Sequence, residues 1–129
     1  MADSMKFLIV DDSITMRRIL INTLKNLGYS DFVEAEDGKD AYAKLYAEDP
    51  DFIITDWNMP NMSGLEFVKT VRGDEQYKGI PILMVTTRGM KQDILEALKA
   101  KVNSYVIKPF TPATVREKID QVLKVASSA

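Results

Sequence analysis

The chain has no cysteine and no histidine in 129 residues. Without cysteine there are no disulfides, iron–sulfur clusters or thiolate nucleophiles. Without histidine there is no Ser-His-Asp triad and no ordinary zinc site. Any metal must be held by oxygen, which points to hard cations such as Mg²⁺ or Ca²⁺. Any phosphohistidine chemistry needs a histidine from another protein. Basic residues are not in surplus either: 17 Lys and Arg stand against 19 Asp and Glu, a formal charge of −2. That argues against nucleic acid as a partner, since such a binder is expected to carry a basic face. No apolar run approaches the roughly 20 residues that span a bilayer, so no membrane role is expected. The start, Met1-Ala2-Asp3-Ser4, carries an acidic residue and leads straight into a strand-like run, unlike a secretory signal. The cytoplasm is the expected location. Linkers, low-complexity tracts and solenoid-length repeats are also missing. The length suits one domain over residues 1–129, and 46% hydrophobic residues are enough for a sizeable core.

What the chain does have is an alternation. Short apolar runs rich in β-branched residues recur at Phe7-Leu8-Ile9-Val10, Phe52-Ile53-Ile54, Ile82-Leu83-Met84-Val85 and Tyr105-Val106-Ile107. A weaker one lies at Phe32-Val33 with Ala35. Continuous apolar runs of this kind are expected of strands covered on both faces, as in a parallel sheet. Between them lie segments of helical period. A first helix is expected from about Ser13 to Leu27, with Leu20, Leu24 and Leu27 on one face and Gly28 as the stop. Asp37-Gly38 precedes a second, with Tyr42, Leu45 and Tyr46. Ser63 and Glu66 form a capping box for a third that buries Leu65, Val68 and Val71. A fourth carries Ile94, Leu95 and Leu98. The fifth begins with Thr111 as N-cap and Pro112 at the first helical position, and buries Val115, Ile119, Val122 and Leu123. Five strands alternating with five helices make an α/β doubly wound fold.

The strands end on polar residues: Asp11-Asp12 after the first, Thr55-Asp56 after the third, Thr86-Thr87 after the fourth, Lys108-Pro109 after the fifth. In open α/β sheets the ligand crevice lies at the carboxyl ends of the strands, near the switch point in strand order. Three carboxylates, a hydroxyl and an ammonium should therefore converge in one pocket. Three carboxylates in one cleft repel one another, so either a proton is held with a raised pKa or a divalent cation neutralises them. An all-oxygen Mg²⁺ site is the economical answer in a chain without His or Cys. The plainer alternatives are that Asp11 and Asp12 only cap the first helix, that Lys108 snorkels to solvent, and that Thr86 is an ordinary strand-end hydroxyl. Taken together, a metal, a lysine and a hydroxyl around Asp56 make a phosphoryl-transfer site with the carboxylate as nucleophile.

These residues resemble the receiver domain of two-component response regulators, along essentially the whole chain. The matching pieces are Phe7-Leu8-Ile9-Val10-Asp11-Asp12-Ser13, Asp56 with Met59-Pro60 and Gly64, Thr86, and Tyr105 followed by Lys108-Pro109-Phe110. Thr15-Met16-Arg17-Arg18 and Thr55-Asp56-Trp57-Asn58-Met59-Pro60 resemble the family's single-domain chemotaxis members. The resemblance implies a five-stranded parallel sheet of flavodoxin-like order 2-1-3-4-5, in a monomer. It implies that Asp56 accepts phosphate from a chemotaxis-type histidine kinase, in a signalling phosphoacceptor that catalyses its own phosphorylation and dephosphorylation. Asp11, Asp12, Asp56 and the backbone carbonyl of Asn58 would surround Mg²⁺, and Lys108 and Thr86 would hold the phosphoryl oxygens. Tyr105 would change rotamer and bias the surface of the fourth helix, fifth strand and fifth helix towards a flagellar motor switch protein. A phosphatase is a further implied partner. The Lys108-Pro109 bond would be the family's cis peptide.

Some positions depart from the family pattern. Arg88 stands where an acidic residue is common. It is expected to approach the phosphoryl group or obstruct the attacking water, against the alternative of a solvated loop arginine. Lys101 stands where glycine is usual, so it either takes a left-handed conformation or ends its helix differently. Trp57 is expected as a partly packed loop aromatic beside Asp56, and Met59, Met62 and Met90 as loop packing. The competing functions are a stand-alone receiver in another pathway, a receiver cut from a larger regulator, a Mg²⁺-dependent Asp-nucleophile phosphohydrolase and a flavodoxin-like cofactor binder. Asn58 in place of a second Asp weighs against the phosphohydrolase. Asp11-Asp12 in the first loop would repel a cofactor phosphate. Ala126-Ser127-Ser128-Ala129 reads as an ordinary chain end.

Overall fold

The computed structural model describes residues 5–128, with side chains through residue 124. Met1–Ser4 and Ala129, and with them the readings of the chain's start and end, lie outside the described residues. The order is β1 (Lys6–Val10), α1 (Ile14–Asn26), β2 (Asp31–Ala35), α2 (Gly38–Glu48), β3 (Phe52–Thr55), α3 (Gly64–Arg72), β4 (Ile82–Thr86), α4 (Lys91–Lys99), β5 (Ser104–Ile107) and α5 (Pro112–Ser128). The five strands form one parallel sheet of order β2-β1-β3-β4-β5, as expected.

Alternation along β1 shows how the layers are built. Phe7 and Ile9 face a core with Leu20 and Leu24 of α1 and Val115, Ile119 and Val122 of α5. Leu8 and Val10 face the opposite core, with Leu45 of α2, Val68 and Val71 of α3 and Ala97 of α4. Successive strand side chains point to opposite faces, so one apolar run feeds both layers. Caps fix where helices begin: the Ser13, Asp37 and Ser63 side chains accept backbone N–H bonds from Met16, Asp40 and Glu66, and Ser63 with Glu66 completes the capping box. Gly28, after α1, takes the left-handed φ of 101° expected of a helix stop.

One expectation is corrected. Burial on both faces holds along β3, β4 and β1 after Lys6, but not at the edges. Asp31 and Glu34 of β2 and Ile107 of β5 are exposed, because an edge strand has a neighbour on one side only. Among the helices, α4 buries only Ala97, and Leu95 and Leu98 are 49% and 47% exposed. Helical period locates the apolar stripe without guaranteeing a cover for all of it. Lys101 is left-handed, with φ of 76°, the first of its two alternatives. Arg72 donates to the carbonyls of Lys101, Lys78 and Ile80 and to Asn103 Oδ1, which also accepts from Ile82 N–H. These bonds hold the non-glycine turn in place.

Candidate functional site

The switch point lies between β1 and β3, where the connection after β1 runs to one side of the sheet and that after β3 to the other. Two bonds continue the ladder past the strand ends: Asp11 N–H donates to the Ala35 carbonyl of β2, and Asp56 N–H, after β3, to the Val10 carbonyl of β1. Asp11 and Asp56 are buried there, and Asp12 is exposed at the rim. One carboxylate oxygen from each of the three lies within 4.8 Å of the others. Lys108, from the end of β5, reaches across with Nζ 2.8 Å from Asp11 Oδ2 and 3.1 Å from Asp56 Oδ2. Its side chain is only 11% exposed, so it does not snorkel to solvent. The Lys108–Pro109 bond is cis, as the resemblance implies.

Both Asp56 oxygens are engaged: Oδ1 accepts the Trp57 N–H at 2.6 Å and Oδ2 the Lys108 ammonium. Burial pushes the Asp11 carboxyl above its ordinary value, against the opposing pull of Lys108 and the Ser13 N–H. Burial pushes Lys108 downwards, but its bond to Asp11 and the charges of Asp56 and Asp11 outweigh this, and its pKa is raised. A buried cluster with three carboxylates and one ammonium keeps an uncompensated negative charge. Its donors are all oxygen, which fits a hard divalent cation. Gly64 makes the loop possible: a Cβ there would lie 1.7 Å from the Asp56 carbonyl oxygen. Its N–H donates to the Trp57 carbonyl at 2.8 Å, drawing the start of α3 against the carboxylate's own backbone.

Residue 88 is tied down at several points. Arg88 N–H donates to the buried Thr86 hydroxyl, and its carbonyl accepts the Tyr105 hydroxyl at 2.7 Å. The guanidinium lies 4.4 Å from the centroid of the Trp57 ring, donates to Asn58 Oδ1 at 3.0 Å and pairs with Asp93 at 3.3 Å. The Arg88 side chain is 39% exposed, but its guanidinium is bonded rather than free in solvent. Trp57 is buried rather than partly packed, with Arg88 stacked on it. Met59 and Met62 pack on the core, whereas Met90 is exposed and does not. Tyr105 is half-buried, and burial with the nearby Asp93 pushes its hydroxyl up to about 12, so it remains a donor at neutral pH. The roles of Asp93 and of the Asn58 side chain were not readable from spacing. Both arise through Arg88, whose guanidinium spans from the loop after β3 to the first turn of α4.

A family model described as the response regulator receiver domain matches residues 7–120. Chemotaxis protein CheY1 of Helicobacter pylori is 57% identical over 120 residues, covering 92% of this chain and 97% of that protein. The chemotaxis protein CheY homolog of Campylobacter jejuni is 54% identical over 124 residues, 95% of each chain. Among solved structures, Vibrio cholerae chemotaxis protein CheY4 superposes with a TM-score of 0.84 at 42% identity, covering 92% of this chain and 98% of that one.

Proposed function

The chain belongs to the response regulator receiver domain family, and from that premise we propose that it is a Mg²⁺-dependent phosphoacceptor, phosphorylated on Asp56 by a partner histidine kinase, that controls a flagellar motor switch protein. Membership of the receiver family, with CheY-type relatives, makes it a signalling phosphoacceptor of a two-component system. The observation that carries the finer reading is the set of Asp11, Asp12 and Asp56 oxygens within 4.8 Å, with Lys108 on two of the three carboxylates.

An Asp56 oxygen attacks phosphorus as the nitrogen–phosphorus bond of the partner's phosphohistidine breaks, forming an acyl phosphate. Lys108 and the Thr86 hydroxyl offer donors to the phosphoryl oxygens, and Asp11, Asp12 and Asp56, with the Asn58 carbonyl, would hold the ion. Mg²⁺ supplies charge neutralisation between the carboxylates and the incoming phosphoryl group. Water later attacks the same phosphorus and restores the carboxylate, so both phosphorylation and its reversal are catalysed by the chain's own residues. Arg88 would set the lifetime of the phosphorylated form, and Tyr105 would carry its state to the α4–β5–α5 face. The cytoplasm, where kinase and motor switch meet, is the compartment of this reading, and a phosphatase is a further partner. No described helix is long and apolar enough to cross a membrane.

The test is incubation with a small acyl-phosphate donor and Mg²⁺, followed by intact mass. One added phosphate is expected, absent without Mg²⁺ and absent in Asp56→Asn. No mass gain across donors and metals would overturn the reading.

A further inference from the structure

Asp12 is the one exposed member of the carboxylate cluster, so the backbone that carries it is what the fold can fix. That backbone is held from outside the cluster. The Asp11 carbonyl, which is half of the Asp11–Asp12 peptide, accepts a bond from Arg17 Nη1 at 2.6 Å. Arg17 stands one turn into α1, and its Nε donates to Glu34 Oε1 of β2 at 2.9 Å. Its side chain is only 12% exposed. On the other side of Asp11, its N–H is fixed to the Ala35 carbonyl, the next residue along β2. Both peptide groups flanking Asp11 are thus referred to the end of β2, one directly and one through Arg17.

We propose that Arg17, anchored by Glu34, is a positioning residue for the divalent-cation site, holding the Asp11–Asp12 peptide so that the Asp12 carboxylate is aimed at the ion. This rests on the proposed Mg²⁺ reading and deepens it. The guanidinium's two bonds leave from different nitrogens, Nη1 to a carbonyl and Nε to a carboxylate, whereas a lysine would have to reach both acceptors from a single nitrogen. The sign of the effect separates positioning from field. Arg17 is a half-buried cation near a cation site, so by Coulomb's law alone its removal should tighten Mg²⁺ binding. Positioning demands the reverse. Outer partners that orient metal ligands act in this way in metal sites generally.

The experiment is Mg²⁺ titration of the full chain by calorimetry, with Trp57 fluorescence alongside, for wild type, Arg17→Met and Arg17→Lys. Thermal unfolding without metal checks that each variant is folded. Arg17→Met keeps the stem and loses both bonds, and a Mg²⁺ Kd weakened about tenfold is expected, the low end of outer-partner effects. Arg17→Lys keeps the charge, so a field effect leaves its Kd unchanged whereas positioning weakens it by an intermediate amount. At saturating Mg²⁺ both variants should regain the wild-type rate with the acyl-phosphate donor. Binding equal to or tighter than wild type in Arg17→Met, or in Arg17→Lys if the first does not fold, overturns the assignment and leaves the functional reading standing. Absence of Mg²⁺ binding by wild type overturns both.

Discussion

Arg88 divides its chemistry between backbone and side chain. Its N–H and carbonyl lie between Thr86 and Tyr105, and its guanidinium lies on Trp57, Asn58 and Asp93. The side chain thus covers the two residues that follow Asp56, where water would approach a phosphoryl group. A guanidinium held on an aromatic face, a carbonyl oxygen and a carboxylate loses little by staying in place. Truncating it should open that approach. Arg88→Ala is expected to shorten the lifetime of the phosphorylated form about tenfold, the scale of one charge-assisted hydrogen bond in a barrier. The check is decay of the phosphorylated mass after removal of donor. An unchanged decay would reject the idea. Lys101 shows a different outcome for an unusual residue, because it accepts a left-handed φ of 76° and Arg72 bonds its carbonyl.

At the scale of elements, caps and periods were legible and covers were not. Ser13, Asp37 and Ser63 begin their helices because each short side chain accepts an otherwise unpaired N–H, a purely local event. Asp37 also accepts from Asn61 Nδ2, and its carboxyl is held below the ordinary 3.8, first by the Asp40 N–H and then by Asn61. The charged form is thus favoured in the folded state, so Asp37 adds stability above pH 3.8, lost as pH falls through its lower folded value. Asp37→Ala should cost about 1 kcal/mol near neutrality, as lost caps do, and the gap from wild type should narrow by about pH 3. Denaturant titrations at the two pH values check this, and a gap that stays constant would sink it. The convergence of Asp11, Asp12, Asp56 and Lys108 was likewise legible, because the strand-end rule places residues without needing their contacts. Arg17, Asp93 and the Asn58 side chain are placed by side-chain bonds to Asp11, Glu34 and Arg88, which no local period records. The exposure of Leu95 and Leu98 is the same lesson reversed, since their stripe is apolar and its outer edge is uncovered.

Across the whole molecule, the acidic cluster and that uncovered stripe are joined by one edge of the sheet. Leu95 and Leu98 of α4 and Ile107 of β5 are each nearly half exposed, beside a groove of about 580 Å³ lined by Ile94, Leu98, Tyr105, Ile107, Pro109 and Phe110. Tyr105 belongs both to this groove and to the bond with Arg88, whose N–H rests on Thr86 at the end of β4. A phosphoryl group on Asp56 that draws the Thr86 hydroxyl would therefore shift the segment carrying the Tyr105 acceptor. A ligand or modification can move such an equilibrium only by its differential contacts with the two states. Coupling between two such sites is commonly worth 5- to 150-fold in affinity, and we expect the phosphorylated chain to bind a flagellar motor switch protein about tenfold more tightly than the unphosphorylated one. Leu98→Glu should abolish that binding while leaving phosphorylation by the acyl-phosphate donor at the wild-type rate, because residue 98 lies outside the acidic cluster. Tyr105→Ala should leave phosphorylation intact and reduce the difference between the two forms. Immobilised switch protein, titrated with each variant with and without donor, reads all three. Equal affinity of the two wild-type forms, or undiminished binding by Leu98→Glu, would show that phosphorylation is not read out on this face.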